Sequence, residues 1–273
     1  MNYRHVFHAG NFGDCMKHAL LVALLRSLSR KPAPLFVLDT HAGAGRYDLG
    51  TGLALRTNEA AGGILRLLDG EDGGSDDPLA DYVSIVRRVG VYPGSPALIR
   101  ALLRPDDRLA CCELRPDDYA SLRGLFRHDS QVSVHRRDGW EALKALLPPV
   151  HSRGLVLIDP PYEDRDEFAH LAAGLALAHS RFPTGVLAAW YPVKHRAPVR
   201  AFFDALSLRD VIAAELLARE PLDAARLNGC GMLIVNPPYG FEQDARRILD
   251  ALLTRLGGGE PGEAATITRL ADE

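Results

Sequence analysis

Seven short apolar runs, most of them followed by a stretch of helix length, constrain this chain more than any other feature of its sequence. They lie at 35–39 (LFVLD), 109–113 (LACCE), 132–136 (VSVHR), 154–159 (GLVLID), 185–190 (GVLAAW), 211–217 (VIAAELL) and 231–236 (GMLIVN). Their apolar residues are continuous rather than alternating, as suits strands buried on both faces of a parallel sheet. Helical stretches fall at 14–29, 116–127, 139–147, 164–181 and 196–205. This order predicts an open α/β sheet of seven mostly parallel strands with helices on both faces. The last two strands are candidates for an antiparallel hairpin at one edge.

One interval is too long for this scheme. A step from strand to strand through a helix takes about 30 residues, yet some seventy separate the first run from the second. The surplus, 48–100, holds helical patterns at 59–69 and 78–89 around the acidic, glycine-rich stretch DGEDGGSDDP. It reads as a small helical subdomain inserted into a single domain of 1–273, with a long decorated loop as the plainer alternative. Near the other end, GGGEPGE at 257–263 reads as a flexible turn before a possible last strand, ATITRL.

Composition narrows the class without naming a function. Hydrophobic residues make up 47% and charged residues 25%, which excludes wholesale disorder. The formal charge of −3 excludes a histone-like surface that grips nucleic acid all over, but leaves room for a local basic patch. No apolar run reaches the roughly 18 residues of a membrane helix, and MNYRHVFHAGNFGDC lacks the apolar centre of a signal peptide. The four cysteines, Cys15, Cys111, Cys112 and Cys230, fit no disulfide framework. The adjacent pair is not Cys-x-x-Cys, and the histidines near the start are irregularly spaced, so no zinc site is expected. Cys111 and Cys112 read as buried thiols. The chain is expected to be soluble, reduced and cytoplasmic.

In open α/β sheets ligands bind at the carboxyl ends of the strands. After the first run comes Asp39-Thr-His41-Ala-Gly43-Ala-Gly45. It lacks the third glycine of a dinucleotide fingerprint and the lysine of a P-loop, so a tight turn and a cofactor loop stay equally open. Glu113 ends the second run, where an acid accepts the two hydroxyls of a ribose; a surface acid is the alternative. Asp138-Gly139 follows the third, where a carboxylate accepts from an adenine amino group or simply marks a turn.

The fourth run ends in Leu157-Ile158-Asp159-Pro160-Pro161-Tyr162, the most informative segment. Two prolines remove two backbone donors and stiffen the chain, leaving carbonyls free. Such a segment suits a flat base bearing an exocyclic amine. Asp159 and the Pro160 carbonyl each accept one N–H, and Tyr162 stacks on the ring. Stacking of this kind is worth roughly 1–3 kcal/mol per base. A second copy, Asn236-Pro237-Pro238-Tyr239, comes after the seventh run. It is expected to lie further across the sheet and to shape a pocket wall rather than do chemistry.

Together these residues resemble the Rossmann-like methyltransferases that use S-adenosylmethionine to modify exocyclic amines. The match extends to Tyr3-Arg-His-Val-Phe-His-Ala-Gly-Asn-Phe-Gly-Asp14, Lys17-His18, LDTHAGAGRYDLG, Tyr92-Pro-Gly-Ser95-Pro, Glu113-Leu, Asp138-Gly139, LIDPPYE and Trp190-Tyr-Pro. The chain is identified by these as similar, over nearly its whole length, to the RlmJ family of 23S ribosomal RNA adenine-N(6) methyltransferases. Tyr239 departs from the tryptophan expected there. The resemblance implies that His18, His41, Ser95, Glu113, Asp138 and Gly139 contact S-adenosylmethionine. It further implies that Asp159 is the catalytic acceptor and Tyr3 touches RNA, in a monomer with a helical insertion and no metal. Nothing in spacing alone marks His18, Ser95 or Tyr3.

Residues 1–47 carry six lysines and arginines (Arg4, Lys17, Arg26, Arg30, Lys31 and Arg46) against only Asp14 and Asp39. With Tyr3, Phe7 and Phe12 interleaved, this segment is expected to form part of a basic RNA-facing surface. A plain solvated helix end is the better reading for Arg26, Arg30 and Lys31. Two competing classes remain: a DNA adenine or protein-glutamine methyltransferase using the same Asp-Pro-Pro-Tyr loop, and a nicotinamide oxidoreductase, which the missing glycine argues against.

Overall fold

The computed structural model describes residues 5–50, 57–70, 74, 76–164 and 166–272. After a 3-10 turn at His5–Phe7, helix α1 (Phe12–Ser29) begins at Asn11, whose side chain accepts the Asp14 amide at 2.9 Å. This helix is buried nearly all round, as expected of one threaded between sheet and helices. Strand β1 (Phe36–Asp39) comes next, then the two-residue β2 (Arg46–Tyr47).

The long interval holds a 3-10 turn at Glu59–Gly62, α2 (Ile64–Asp69), α3 (Ala80–Val89), β3 (Tyr92–Pro93) and α4 (Ser95–Leu102). Strands β2 and β3 pair with each other, antiparallel. The rest alternates: β4 (Arg108–Cys112), α5 (Pro116–Phe126), β5 (Val132–His135), α6 (Gly139–Leu146), β6 (Gly154–Ile158), α7 (Glu167–Arg181), β7 (Val186–Val193) and α8 (Arg196–Asp204). Strands β8 (Val211–Leu217) and β9 (Gly229–Val235), helix α9 (Phe241–Leu256) and β10 (Ala264–Ala271) complete the chain.

The main sheet has eight strands in the order β10-β8-β9-β7-β6-β1-β4-β5. That is one more than the seven runs predict, because ATITRL does add a strand, pairing antiparallel with β8. Strands β5, β4, β1, β6 and β7 are mutually parallel. The chain runs outward from β1 through β4 to β5 and then returns to β6 on the other side of β1, which places the topological switch point between β1 and β6. Strand β9 inserts between β7 and β8 and runs antiparallel to both. The expected hairpin of the last two runs therefore exists, but β10 and not β8 forms that edge.

Continuous apolar runs are explained by two cores. Val37, Leu109, Cys111, Leu155 and Leu157 pack on one face with α1, α4 and α9. Leu38, Ala110, Cys112, Val156 and Ile158 pack on the other with α6, α7 and α8. Cys111 and Cys112 thus face opposite cores, and all four thiols are buried and free. Ile64, Leu67, Tyr82, Val86 and Leu98 of the long interval share the first core with α1. Among the described residues no helix is long and apolar enough to cross a membrane.

Candidate active site

A cleft of ≈ 1130 Å³ opens at the carboxyl ends of β1, β4, β5, β6 and β7. Its floor begins with the turn after β1. Gly43 (φ +60°) and Gly45 (φ +81°) occupy the left-handed region, and a Cβ on Gly43 would sit 2.2 Å from the Tyr47 hydroxyl. The tight turn left open by the sequence is present and lines the cleft, and its Gly43 amide donates to Glu113 Oε2 at 2.9 Å. The Arg115 amide holds the other oxygen of Glu113 at 2.7 Å. Burial raises the pKa of this carboxyl above the usual range. Each oxygen keeps a second lone pair, so the carboxylate is oriented and still able to accept.

Asp138 takes the turn role and also lines the cleft. It caps α6, accepting the amides of Trp140 at 2.8 Å and Glu141 at 3.2 Å, through Oδ1. Its other oxygen is left for the cleft. At Gly139 a Cβ would lie 2.5 Å from the Thr40 carbonyl and 2.6 Å from the His41 ring, so only glycine fits. His41 stands edge-on to Trp140, and burial lowers its pKa to about 4.

The reacting corner is built from α1 and the loop after β6. Asp14, Lys17 and His18 share a helical face through their i, i+3 and i+4 spacing. Lys17 Nζ lies 2.6 Å from Asp159 Oδ2 and 2.9 Å from Asp14 Oδ1. Asp14 Oδ2 in turn meets His5 Nε2 and the Gly10 amide, each at 3.0 Å. Burial opposes the charge on Lys17, but the two carboxylates outweigh it and hold its pKa well above the ordinary value. Burial likewise opposes the Asp14 carboxylate, which its ion pairs with His5 and Lys17 hold well below the ordinary range. Asp159 remains partly open to the cleft. Beyond it, Tyr162 adopts φ 53°, donates its hydroxyl to the Trp190 carbonyl at 2.8 Å, and sets its ring against Trp190 and Phe168.

His18 is fully buried, with Nδ1 2.9 Å from the Tyr92 hydroxyl and Nε2 without a partner. Burial, aided by the charges of Lys17 and His5, lowers its pKa to about 3, so the ring is neutral. Ser95 donates to Asp39 Oδ2 at 2.6 Å. Asp39 is fully buried with its other oxygen unpartnered, and burial pushes its pKa up to about 7. Trp190 Nε1 is a third orphan in this corner. Unpaired buried polar atoms are costly, and two of the residues that carry them, His18 and Trp190, line the cleft.

Of the residues singled out in the sequence, His18, His41, Ser95, Glu113, Asp138, Gly139, Asp159, Pro160 and Tyr162 all line this cleft. Tyr3 and Arg4 lie outside the described residues. Asn236 lies elsewhere and does not line this cleft. Strand β9 runs antiparallel, so its carboxyl end falls at the amino end of β7, where Asn236 Nδ2 donates to the Pro183 and Gly185 carbonyls, both at 2.8 Å. The RNA-facing surface expected within residues 1–47 rests on Tyr3 and Arg4, outside the described residues; of the other basic residues there, three are committed within the protein. Lys17 is buried under Asp159, Arg26 pairs with Asp81 at 2.8 Å, and Arg30 approaches Asp244 at 3.6 Å. Lys17, Asp14 and Asp39 escaped sequence reasoning as site residues. The one available signal was polar residues on the inner face of an otherwise apolar helix.

A parallel sheet reversing at β1, an acid after β4, a capping acid after β5 and Asp-Pro-Pro-Tyr after β6 define a Rossmann-like methyltransferase of the amine-modifying kind. Comparison with known proteins makes this particular: the family model described as "Ribosomal RNA large subunit methyltransferase D, RlmJ" matches residues 32–267, and the chain belongs to that family. It is 40% identical over 273 residues to ribosomal RNA large subunit methyltransferase J of Escherichia coli, covering 97% of each chain. It is 38% identical over 266 residues to the protein of the same name in Haemophilus influenzae, covering 94% of each. The crystal structure of a Legionella pneumophila protein superimposes with a TM-score of 0.86 at 34% identity, over 96% of this chain and 98% of that one. The methyl donor of such an enzyme is S-adenosylmethionine. Among the described residues no group of three or more histidines, cysteines or acids is arranged to hold a metal ion.

Proposed function

We propose that this protein methylates the exocyclic N6 amine of an adenine in 23S ribosomal RNA. One observation carries the reading: Asp159 and the Pro160 carbonyl end β6 inside the cleft, with Tyr162 beside them and the Gly43, Glu113 and Asp138 loops alongside. Glu113 would take the ribose hydroxyls of S-adenosylmethionine, Asp138 and Gly139 its adenine, and His18, His41 and Ser95 the remainder. The cofactor supplies an electrophilic methyl group on a sulfonium.

The chain's own residues do the rest. A target adenine leaves its stack, an exchange costing a few kcal/mol, and Tyr162 faces the ring. Asp159 and the Pro160 carbonyl accept the two N6 hydrogens, which draws the nitrogen lone pair out of conjugation and aims it. As N6 becomes cationic, the Asp159 charge stabilises it, and the surplus proton leaves by way of that carboxylate. Lys17 holds Asp159 Oδ2, which orients the carboxylate and leaves Oδ1 for the amine. Tyr3 would contact the RNA strand, residues 48–100 act as an inserted helical subdomain, and the protein works in the cytoplasm as a monomer.

Labelled methyl transfer into unmodified ribosomal RNA, with nucleoside analysis of the product, tests the reading. Label recovered as N6-methyladenosine is the expected result. Label in DNA or glutamine and none in RNA would overturn it.

A further inference from the structure

One wall of the cleft carries two positive charges with no ion-pair partner among the described residues. Lys194, just past β7, and Arg226, in the 218–228 loop between β8 and β9, both line it and both are exposed, and neither side chain has an ion pair or hydrogen bond among those residues. Across the cleft Glu163, Asp164 and Glu167 come after Asp159, and Glu113 and Asp138 alternate with Arg115 and Arg137; on the loop side Glu260 and Glu263 also line the cleft, Glu260 in the paired grip of Arg219. Both signs of charge line the cleft, and the exposed, uncommitted Lys194 and Arg226 are the cations placed to meet a polyanion entering it.

The cationic wall is also built to hold still. Asn228, fully buried, donates through Nδ2 to the Lys194 carbonyl at 2.8 Å and to the Asp223 carbonyl at 2.7 Å, tying the two segments together. Arg219 clamps the loop base with paired bonds to Glu260, both at 2.9 Å, and a third to the Leu227 carbonyl at 3.2 Å. The Glu220 amide donates to the Pro261 carbonyl at 2.9 Å. At the tip of this braced loop Leu222 is 74% exposed, an apolar side chain standing in water. His8, next to the N-terminal turn, lines the same cleft as Lys194.

We infer that Lys194 and Arg226, presented by the braced 218–228 loop, hold the phosphates of the RNA strand flanking the target base. This rests on the RNA-methylating reading above. The strand runs along the β7–β9 side of the cleft, with its base turned in toward Asp159 and Tyr162.

The test is RNA affinity as a function of salt for the double variant Lys194→Glu/Arg226→Glu. A control, Lys31→Glu/Arg127→Glu, makes the same charge change at exposed positions off the cleft. Phosphate contacts release counterions at about 0.7 per contact for a single strand. The rim variant should therefore bind on the order of tenfold more weakly at low salt and lose roughly 1.4 from the log–log salt slope. Its melting temperature and its calorimetric affinity for S-adenosylhomocysteine should match the wild type, and the control should bind RNA as the wild type does. If charge reversal lowers the melting temperature, Lys194→Gln/Arg226→Gln gives the same slope change without new repulsion. A wild-type slope in the rim variant, or an equal loss in the control, overturns the inference while leaving RNA methylation intact. Failure of the wild type to methylate RNA at all removes the functional reading instead, and this inference with it.

Discussion

The chain contains Pro-Pro-Tyr twice after a buried strand, and the two copies show how little a motif means apart from strand direction. Asp159-Pro-Pro-Tyr162 leaves β6 at the carboxyl end of the parallel strands, where Asp159 meets Lys17 and Tyr162 reaches the Trp190 carbonyl. Asn236-Pro-Pro-Tyr239 leaves the antiparallel β9 at the opposite end. There Asn236, at φ 54°, spends its side-chain N–H groups on the Pro183 and Gly185 carbonyls and pins the end of β9 to the start of β7. The first copy keeps acceptors free at the cost of stability, beside the orphaned His18 Nε2, Asp39 Oδ1 and Trp190 Nε1. The second satisfies its polar groups and leaves its tyrosine 99% exposed.

The largest effect should separate the copies by activity. Asp159→Asn keeps shape but removes the charge that stabilises the amine in the transition state, so turnover should fall roughly 10²–10³-fold, as for loss of a key electrostatic group. S-adenosylhomocysteine affinity should barely change. Adding Asn236→Asp to that variant should restore nothing, because the new carboxylate stands at the wrong end of the sheet. Recovery of turnover in the double variant would sink the comparison.

Next, Glu113→Ala should weaken S-adenosylmethionine and S-adenosylhomocysteine alike by roughly 1–3 kcal/mol, since both carry the ribose this acid would bind. Unchanged affinity by calorimetry would remove Glu113 from the cofactor site.

Acid should also distinguish the two ends. The folded state holds His18 neutral, with its pKa lowered to about 3. A histidine lowered in the folded state contributes stability that is present above its unfolded pKa of about 6.5 and is lost as pH falls toward the folded value. By pH 5 that loss should reach roughly 2 kcal/mol. His18→Asn should flatten the denaturation profile between pH 6.5 and 5, whatever it does to stability at pH 7; a slope identical to wild type would show that this ring is not the acid-sensitive group.

How much of this contrast was legible in the sequence depends on distance along the chain. The runs that became β1, β4, β5, β6 and β7 announced themselves, because burial on both faces demands continuous apolar residues. Asp159 was legible because two prolines and a tyrosine constrain it locally. Lys17 was not: its partner lies 142 residues away, and a lysine in a helix normally reads as solvent-facing. The direction of β9 was equally hidden, since an antiparallel strand buried on both faces carries the same apolar run as a parallel one. That single reversal moved Asn236 from an expected pocket wall to the far end of the molecule. The basic excess of residues 1–47 meets the same limit at Arg26 and Arg30, since composition counts a charge without saying where its counter-charge stands.

A smaller effect should fall on stability alone. Asn236→Ala removes two hydrogen bonds and places a residue less tolerant of the left-handed region at φ 54°, so it should cost on the order of 1–2 kcal/mol of unfolding free energy. Turnover of the folded protein should match wild type. A loss of activity comparable to that of Asp159→Asn, at a temperature where the variant is fully folded, would mean the wrong loop has been given the chemistry.

The smallest expected effect lies at the paired tyrosines. Tyr162→Phe loses the hydroxyl bond to Trp190, which fixes where the ring stands, so it should raise KM for RNA more than it lowers melting temperature. Tyr239→Ser removes a ring that is 99% exposed. Surface changes away from caps, cores and charge networks stay within about 0.5 kcal/mol, so stability and turnover should both be unchanged. Two tyrosines in the same local sequence would then answer to opposite constraints. One is held by a carbonyl from the neighbouring strand and faces a cleft, and the other stands in water because the strand before it points the other way. A clear loss of RNA affinity in Tyr239→Ser would instead extend the RNA surface to the amino end of the sheet, and the separation of the two ends would fail.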